Sequence, residues 1–137
     1  MKNITLKWEK DSAPEHPESE VSCDALDAKS LMLYAAAKGA GMTVASLLTK
    51  MGIGYRSVTV SIAGELSQTQ YASQSVYTAI DYKFSVECED PRDHATVSTA
   101  VQLVHDKYCG LVRMMKMIAP VTVEVYIHTP QMEPALD

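Results

Sequence analysis

The segment from Ala28 to about Met51 constrains the fold more than any other part of this 137-residue chain. Residues 31–37 are apolar on nearly every side, and apolar residues then recur at helical spacing up to Met51. Asp27 is a suitable N-cap, and Gly52 is suited to end the helix. A helix that is apolar all round must be buried, either centrally in one subunit or in an oligomer interface.

Alternation of polar and apolar residues predicts four strands around this helix. The second and third strands are predicted to form a hairpin, joined by the polar loop 67–75. We place Cys88, near the end of the third strand, on the face opposite Phe84 and Val86. The apolar positions are Ile4, Leu6 and Trp8; Val58, Val60 and Ile62; Ile80, Tyr82, Phe84 and Val86; and Val121, Val123, Val125 and Ile127.

Two further helices are predicted between the third and fourth strands. Asp90-Pro91 starts the first, whose buried stripe consists of Val97, Val101, Val104 and Tyr108. Residues 111–119 form the second, which Pro120 ends. Residues 11–20, polar and with two prolines, are predicted to be a loop, and residues 129–137 a tail. The order β-α-β-β-α-α-β predicts one α+β domain over residues 1–137, with helices packed on a mainly antiparallel sheet.

Charge and composition disfavour several classes of function. Twelve basic and 17 acidic residues give a net charge of −5, which disfavours binding to nucleic acid or to an anionic membrane surface. No unbroken run reaches the roughly 18 apolar residues of a membrane span. The first ten residues contain no apolar signal-peptide block, so we expect a cytoplasmic protein.

The three cysteines are odd in number and widely spaced, which excludes a disulfide scaffold, and no CxxC pair indicates a zinc site. Cys109 lies at the predicted junction of two helices. There the helix dipole stabilises a thiolate, and Lys107 and Arg113 add positive charge. The alternative is that Cys109 is a small apolar residue filling the gap between the helices. His94 and His105 share an element but lie too far apart to bind one ion, so no metal or cofactor is expected.

Two stretches resemble the OsmC/Ohr family, the osmotically inducible and organic-hydroperoxide-resistance proteins. Residues 29–51, beginning KSLMLYAAAKGAGMT, are similar to the family's central helix, of the form P-x-E-L-L-L-A-A-x-A-A-C-x-G-M-T. Residues 106–111, DKYCGL, are similar to its K-Y-C-P/G-V turn. The resemblance covers about residues 27–128, with a shortened N-terminal part. It implies an OsmC-like α+β fold, with an antiparallel sheet packed on a long buried helix, and an intertwined homodimer.

The resemblance also implies a redox site. Active family members reduce organic hydroperoxides with a peroxidatic cysteine on the central helix, and the cysteine of the K-Y-C turn resolves the sulfenic acid as a disulfide. An arginine and a glutamate hold the thiolate. In this chain the resolving position is Cys109, but the peroxidatic position is Gly39 and the glutamate position is Ser30. The arginines Arg56, Arg92 and Arg113 do not lie in the N-terminal region, where Lys7 or Lys10 could supply charge.

These substitutions predict a family member without the standard two-cysteine peroxidase activity. We expect a small apolar cavity where Gly39 faces Cys109, lined by Tyr34, Met42 and Met114. A small hydrophobic ligand could bind there, or the dimer could have a stress-response role without turnover. A further possibility is a purely structural dimer with no ligand. The alternative is a one-cysteine, thiol-dependent hydroperoxide reductase that uses Cys109 or Cys23.

Overall fold

A four-stranded sheet with three helices on one face forms this protein. The structure, a computed structural model, describes residues 1–10 and 16–130. Part of the predicted loop, residues 11–15, and most of the predicted tail, residues 131–137, lie outside the described residues. The elements are β1 (Lys2–Glu9), α1 (Ala28–Lys50), β2 (Tyr55–Leu66), β3 (Tyr77–Cys88), α2 (His94–Leu103), α3 (Gly110–Ile118) and β4 (Val121–His128).

The strand order is β1-β2-β3-β4. Both pairs among the first three strands are antiparallel, with Ile4 opposite Ile62 and Val60 opposite Phe84. The last strand is parallel to its neighbour, with Val125 opposite Phe84. This parallel pair is possible because α2 and α3 form the long crossover between β3 and β4. The prediction of an α+β fold with a mainly antiparallel sheet is therefore confirmed.

One face of the sheet carries the core, as the period of two requires. Trp8, Val60, Tyr82 and Phe84 are all fully buried under the helices. Cys88 is also buried in this core. Our placement of Cys88 on the opposite face was wrong, because residues 84, 86 and 88 are each two apart and therefore share a face.

The long helix α1 begins and ends as predicted. The Asp27 side chain accepts a hydrogen bond from the Ser30 amide at 2.8 Å, and Gly52 follows the helix with a φ of 71°. A hydrogen bond from Lys2 and the bond from Ser30 lower the pKa of Asp27 to about 2. This keeps the capping carboxylate charged at the positive end of the helix dipole.

A single chain buries one side of α1 rather than all of it. Its buried residues, Leu33, Ala36, Ala37, Ala40, Gly41, Val44, Ala45 and Leu48, recur at helical spacing. Leu31 and Met32 are exposed on the other side. By length and composition α1 is also apolar enough to cross a membrane, although it contains no unbroken apolar run of that length. Core helices of globular proteins pass the same test, and the buried face of α1 packs on the sheet as such a helix does.

Between α2 and α3 the chain makes one π-helical turn, Val104–Tyr108. The Cys109 amide donates a hydrogen bond to the Val104 carbonyl, five residues earlier, at 3.0 Å. Val97, Val101 and Val104 are buried as predicted, but Tyr108 is exposed. Our prediction for Tyr108 was wrong because the π turn adds a residue and rotates this position away from the core.

Candidate functional site

Cys109 lies where the π turn meets α3. It occupies the N-cap position of α3 in an extended backbone conformation, and its carbonyl accepts a hydrogen bond from the Arg113 amide at 3.1 Å. Only 3% of the residue is exposed, whereas Tyr108 and Gly110 on either side are exposed. The thiol is therefore buried just below the surface.

The space beside Gly39 is filled. A Cβ atom built on Gly39 would lie 2.4 Å from Leu111 Cδ1 and 3.1 Å from Leu111 Cγ. The Leu111 side chain, two residues after Cys109, thus occupies the volume that a side chain at position 39 would take. The cavity expected between Gly39 and Cys109 is accordingly closed on this side in the single chain.

The other expected pocket residues do not all converge on this point. Met42 lies one helical turn after Gly39 and is half-buried, while Met114 lies one turn after Leu111 and is half-exposed. Tyr34 packs at the edge of the core. Ser30 lies about 13 Å from Gly39 along the helix axis and about half a turn around it. The Ser30 hydroxyl is therefore not positioned to act at Gly39 within one chain.

Two buried polar side chains contact each other in the core that also holds Cys109. Tyr82 is 1% exposed and His105 3% exposed, and their ring centroids lie 5.6 Å apart in an edge-to-face arrangement. Within the part of the chain that the structure describes, neither Tyr82 Oη nor His105 Nδ1 has a hydrogen-bond partner. Since buried polar atoms are normally paired, two unpaired atoms in one cluster mark an unusual place in this core.

Burial and nearby charges shift the pKa values of Tyr82 and His105. Burial raises the pKa of Tyr82, and a negative charge on the nearby Cys109 raises it further. Burial lowers the pKa of His105, as does the nearby charge of Lys116, while Asp106 opposes this shift. Near neutral pH, Tyr82 is thus a hydrogen-bond donor and His105 a neutral imidazole.

We expect the stability of the fold to depend on His105 titration. An unfolded histidine titrates near pH 6.5, and the pKa of folded His105 is lower. As the pH falls below about 6.5, the unfolded chain takes up this proton first, so the free energy of unfolding decreases in that window. Urea denaturation between about pH 7.5 and about pH 5.5 measures this slope.

Substitution of His105 tests the origin of this slope. His105→Leu should flatten it, whereas His16→Gln, at an exposed loop position, should leave it unchanged. An unaltered slope in His105→Leu would show that other groups cause the acid sensitivity.

The other candidate thiols and cations lie elsewhere. Cys23 is exposed in a short 3-10 turn before α1. Burial raises the pKa of Cys88, and the charge of Asp93 adds to this effect. The Lys7 ammonium lies 3.1 Å from the Glu9 carboxylate, and that of Lys10 lies 2.7 Å from Glu89. None of these contacts directs a cation toward Cys109.

His94 and His105 do not form a common site. The His94 ring hydrogen-bonds the Thr129 hydroxyl at 2.7 Å, whereas His105 contacts Tyr82 and Phe84. Among the described residues, no group of three or more His, Cys, Asp or Glu side chains could hold a metal ion.

A groove runs along the surface beside α1 and Tyr108. One part, about 340 Å³, is lined by Met42, Thr43, Ser46, Leu47, Lys50 and Tyr108. An adjoining part of about 420 Å³ shares Leu47 and Tyr108 and continues along α2. Met42 thus lines an open groove on the outside of the chain.

Comparison with known proteins places this α+β thiol protein in a family. Residues 21–124 match the family model described as OsmC-like protein, which covers most of the chain. The chain therefore belongs to the OsmC-like family. No curated protein sequence matches it.

Solved structures with low sequence identity share the fold. An OsmC-like protein from Mycoplasma pneumoniae is 9% identical, with a TM-score of 0.62 over 93% of this chain and 98% of that one. A hypothetical protein from Aquifex aeolicus VF5 is 19% identical, with a TM-score of 0.59 over 89% and 96%. The organic hydroperoxide resistance protein OsmC from Legionella pneumophila is 11% identical, with a TM-score of 0.57 over 80% and 73%.

The sequence alone did not identify Leu111 and Tyr82 as site residues. Leu111 follows the K-Y-C turn as an ordinary apolar residue, and Tyr82 occupies a regular core position of β3. His105 did carry a signal, because it continues the spacing of Val97 and Val101 as a histidine on an apolar stripe. That spacing places His105 in the core, where a polar ring is unusual.

Proposed function

We propose that this chain is an OsmC/Ohr-type stress-response protein that does not run the two-cysteine peroxidase cycle. Family membership supports the stress-response role, as does the description of the Legionella protein as an organic hydroperoxide resistance protein. The absence of the two-cysteine cycle is inferred from Leu111, which fills the space beside Gly39. The position where the family places its peroxidatic cysteine has no side chain, and a leucine fills the adjacent volume.

The functional unit is proposed to be a cytoplasmic homodimer. The exposed apolar side of α1, with Leu31 and Met32, supports this proposal. Met114, Met117 and Ile118 are likewise exposed on α3. Exposed large apolar side chains on two helices are typical of a surface that another protein chain covers. A second copy of the chain would complete the burial that the sequence of α1 requires.

A small hydrophobic ligand is the first candidate for what such a dimer binds. Since Leu111 fills the space at Gly39, the ligand would lie in the groove beside Met42, Leu47 and Tyr108, and a partner chain would close this groove. Its mostly apolar lining suits a nonpolar molecule better than a charged one.

One-cysteine reduction of organic hydroperoxides is the second candidate. The unpaired buried atoms of Tyr82 and His105 beside Cys109 favour it over a purely structural thiol. Cys23, which is exposed, is the other thiol that could react. Either cysteine would form a sulfenic acid that an external thiol then reduces.

Peroxide consumption separates the two candidates. Cumene hydroperoxide and a small thiol reductant are added to the wild type, to Cys109→Ser and to Cys23→Ser. Turnover that disappears in Cys109→Ser assigns the activity to that thiol and contradicts the ligand-binding hypothesis. Absence of turnover, together with saturable binding of an aromatic or lipid probe, contradicts the enzymatic one.

A further inference from the structure

The cluster under the sheet brings together a thiol, an imidazole and a phenol. Cys109, His105 and Tyr82 are each at least 97% buried. The Tyr82 ring contacts the His105 ring, and a negative charge on Cys109 acts on the Tyr82 hydroxyl. His105 lies within the π turn and Cys109 directly follows it, so the two residues are four positions apart, and both are buried. A buried hydroxyl and a buried ring nitrogen without partners are free to bond to an incoming molecule.

We propose that His105 and Tyr82 are the acid–base and hydrogen-bonding residues of a one-cysteine hydroperoxide reductase centred on Cys109. This assignment rests on the second proposed function and adds two catalytic residues to it. It gives both unpaired polar atoms a role in the same reaction.

The reaction balances with an organic hydroperoxide as oxidant and a small thiol as reductant. His105 accepts the Cys109 proton, and the thiolate sulfur attacks the terminal peroxide oxygen. The S–O bond forms as the O–O bond breaks, giving a sulfenic acid and an alkoxide. Tyr82 donates a hydrogen bond to the alkoxide oxygen, and His105 returns its proton to make the alcohol. Two external thiols then reduce the sulfenic acid. Cys109 returns to the thiol, the two external thiols are joined as a disulfide, and the oxygen leaves as water.

The protonation states fit these roles. The raised pKa of Tyr82 keeps its hydroxyl a donor, and the lowered pKa of His105 keeps the ring able to accept a proton near neutral pH. Lys116, which donates a hydrogen bond to the His105 carbonyl at 3.2 Å, and Asp106 are the charged groups that also act on His105.

Tyr82→Phe is the decisive variant because it removes only an unpaired hydroxyl. A purely structural role predicts unchanged or increased stability and no effect on Cys109. The proposal predicts the same stability but about 100-fold slower oxidation of Cys109. Tyr126→Phe is the matched control, because Tyr126 is half-exposed and its hydroxyl donates a hydrogen bond to the Glu124 carboxylate. It should not alter the rate.

The experiment uses Cys23→Ser protein to remove the exposed thiol. Cumene hydroperoxide is added, the sulfenic acid at Cys109 is trapped with dimedone, and peptide mass spectrometry gives the rate from about pH 5 to about pH 8. His105→Gln should slow the reaction and remove its pH dependence in this range.

Three outcomes are informative. A slow Tyr82→Phe reaction with intact folding supports the assignment. Equal rates in the parent and in both variants overturn the assignment but leave one-cysteine activity in place. If Cys109 is not oxidised in the parent, both the activity and the assignment are contradicted.

Discussion

The double variant Gly39→Cys/Leu111→Ala is expected to form a disulfide between residues 39 and 109 on mild oxidation. Truncation of Leu111 removes the two atoms nearest to a side chain at position 39, and leaves only its Cβ, at 3.4 Å. A disulfide requires Cα atoms within about 7 Å, which is the proximity that the resemblance implies. Closing so long a loop should stabilise the oxidised protein by about 4 kcal/mol relative to the reduced one.

Two further variants control this experiment. Gly39→Cys alone should form the disulfide more slowly, because Leu111 has to move first. Addition of Cys109→Ser to the double variant should abolish the disulfide. If the double variant folds but stays reduced under oxidant, residues 39 and 109 do not face each other, and the alignment with the family's cysteine pair is wrong.

Gly41→Ala is expected to destabilise the fold strongly. A Cβ at position 41 would lie 2.1 Å from two ring atoms of Trp8, which is 1% exposed in the core. Neither the ring nor the helix backbone can move without disturbing the contact between α1 and β1. We expect the free energy of unfolding to decrease by about 3 kcal/mol, even though alanine favours a helix more than glycine does.

Tryptophan fluorescence measures this effect directly, because Trp8 is the single tryptophan of the chain. The emission should shift to longer wavelength in Gly41→Ala, and the urea midpoint should decrease. Gly110→Ala is the matched control: a Cβ there meets nothing within 4 Å, so stability should change by less than about 0.5 kcal/mol. Equal stability of Gly41→Ala and the wild type would show that Trp8 does not pack on Gly41.

Much of the fold follows from local patterns in the sequence. Asp27 and Gly52 delimit α1 because capping and positive φ are properties of single residues. The alternation at Ile4, Leu6 and Trp8 yields β1 because one face of the sheet is buried. These features depend on residues that are close together in the chain, so they can be predicted from the sequence.

The site depends on contacts that no local pattern contains. Leu111 fills the space at Gly39 because α3 packs against α1, and the sequence does not state the distance between them. A regular helix would place Tyr108 in the core, whereas the π-helical hydrogen bond from the Cys109 amide to the Val104 carbonyl rotates it outward. The extra residue of the π turn therefore determines which neighbours of Cys109 face the core.

Intact mass spectrometry of the hydroperoxide-treated protein tests directly whether this chain runs the two-cysteine cycle. Wild-type protein and Cys109→Ser are treated with cumene hydroperoxide in the absence of reductant, and both free thiols and mass are measured. The expected result is that no internal disulfide forms in the wild type; at most, one oxygen is added at a cysteine. Loss of two hydrogens and two thiols from the wild type, but not from Cys109→Ser, would contradict it.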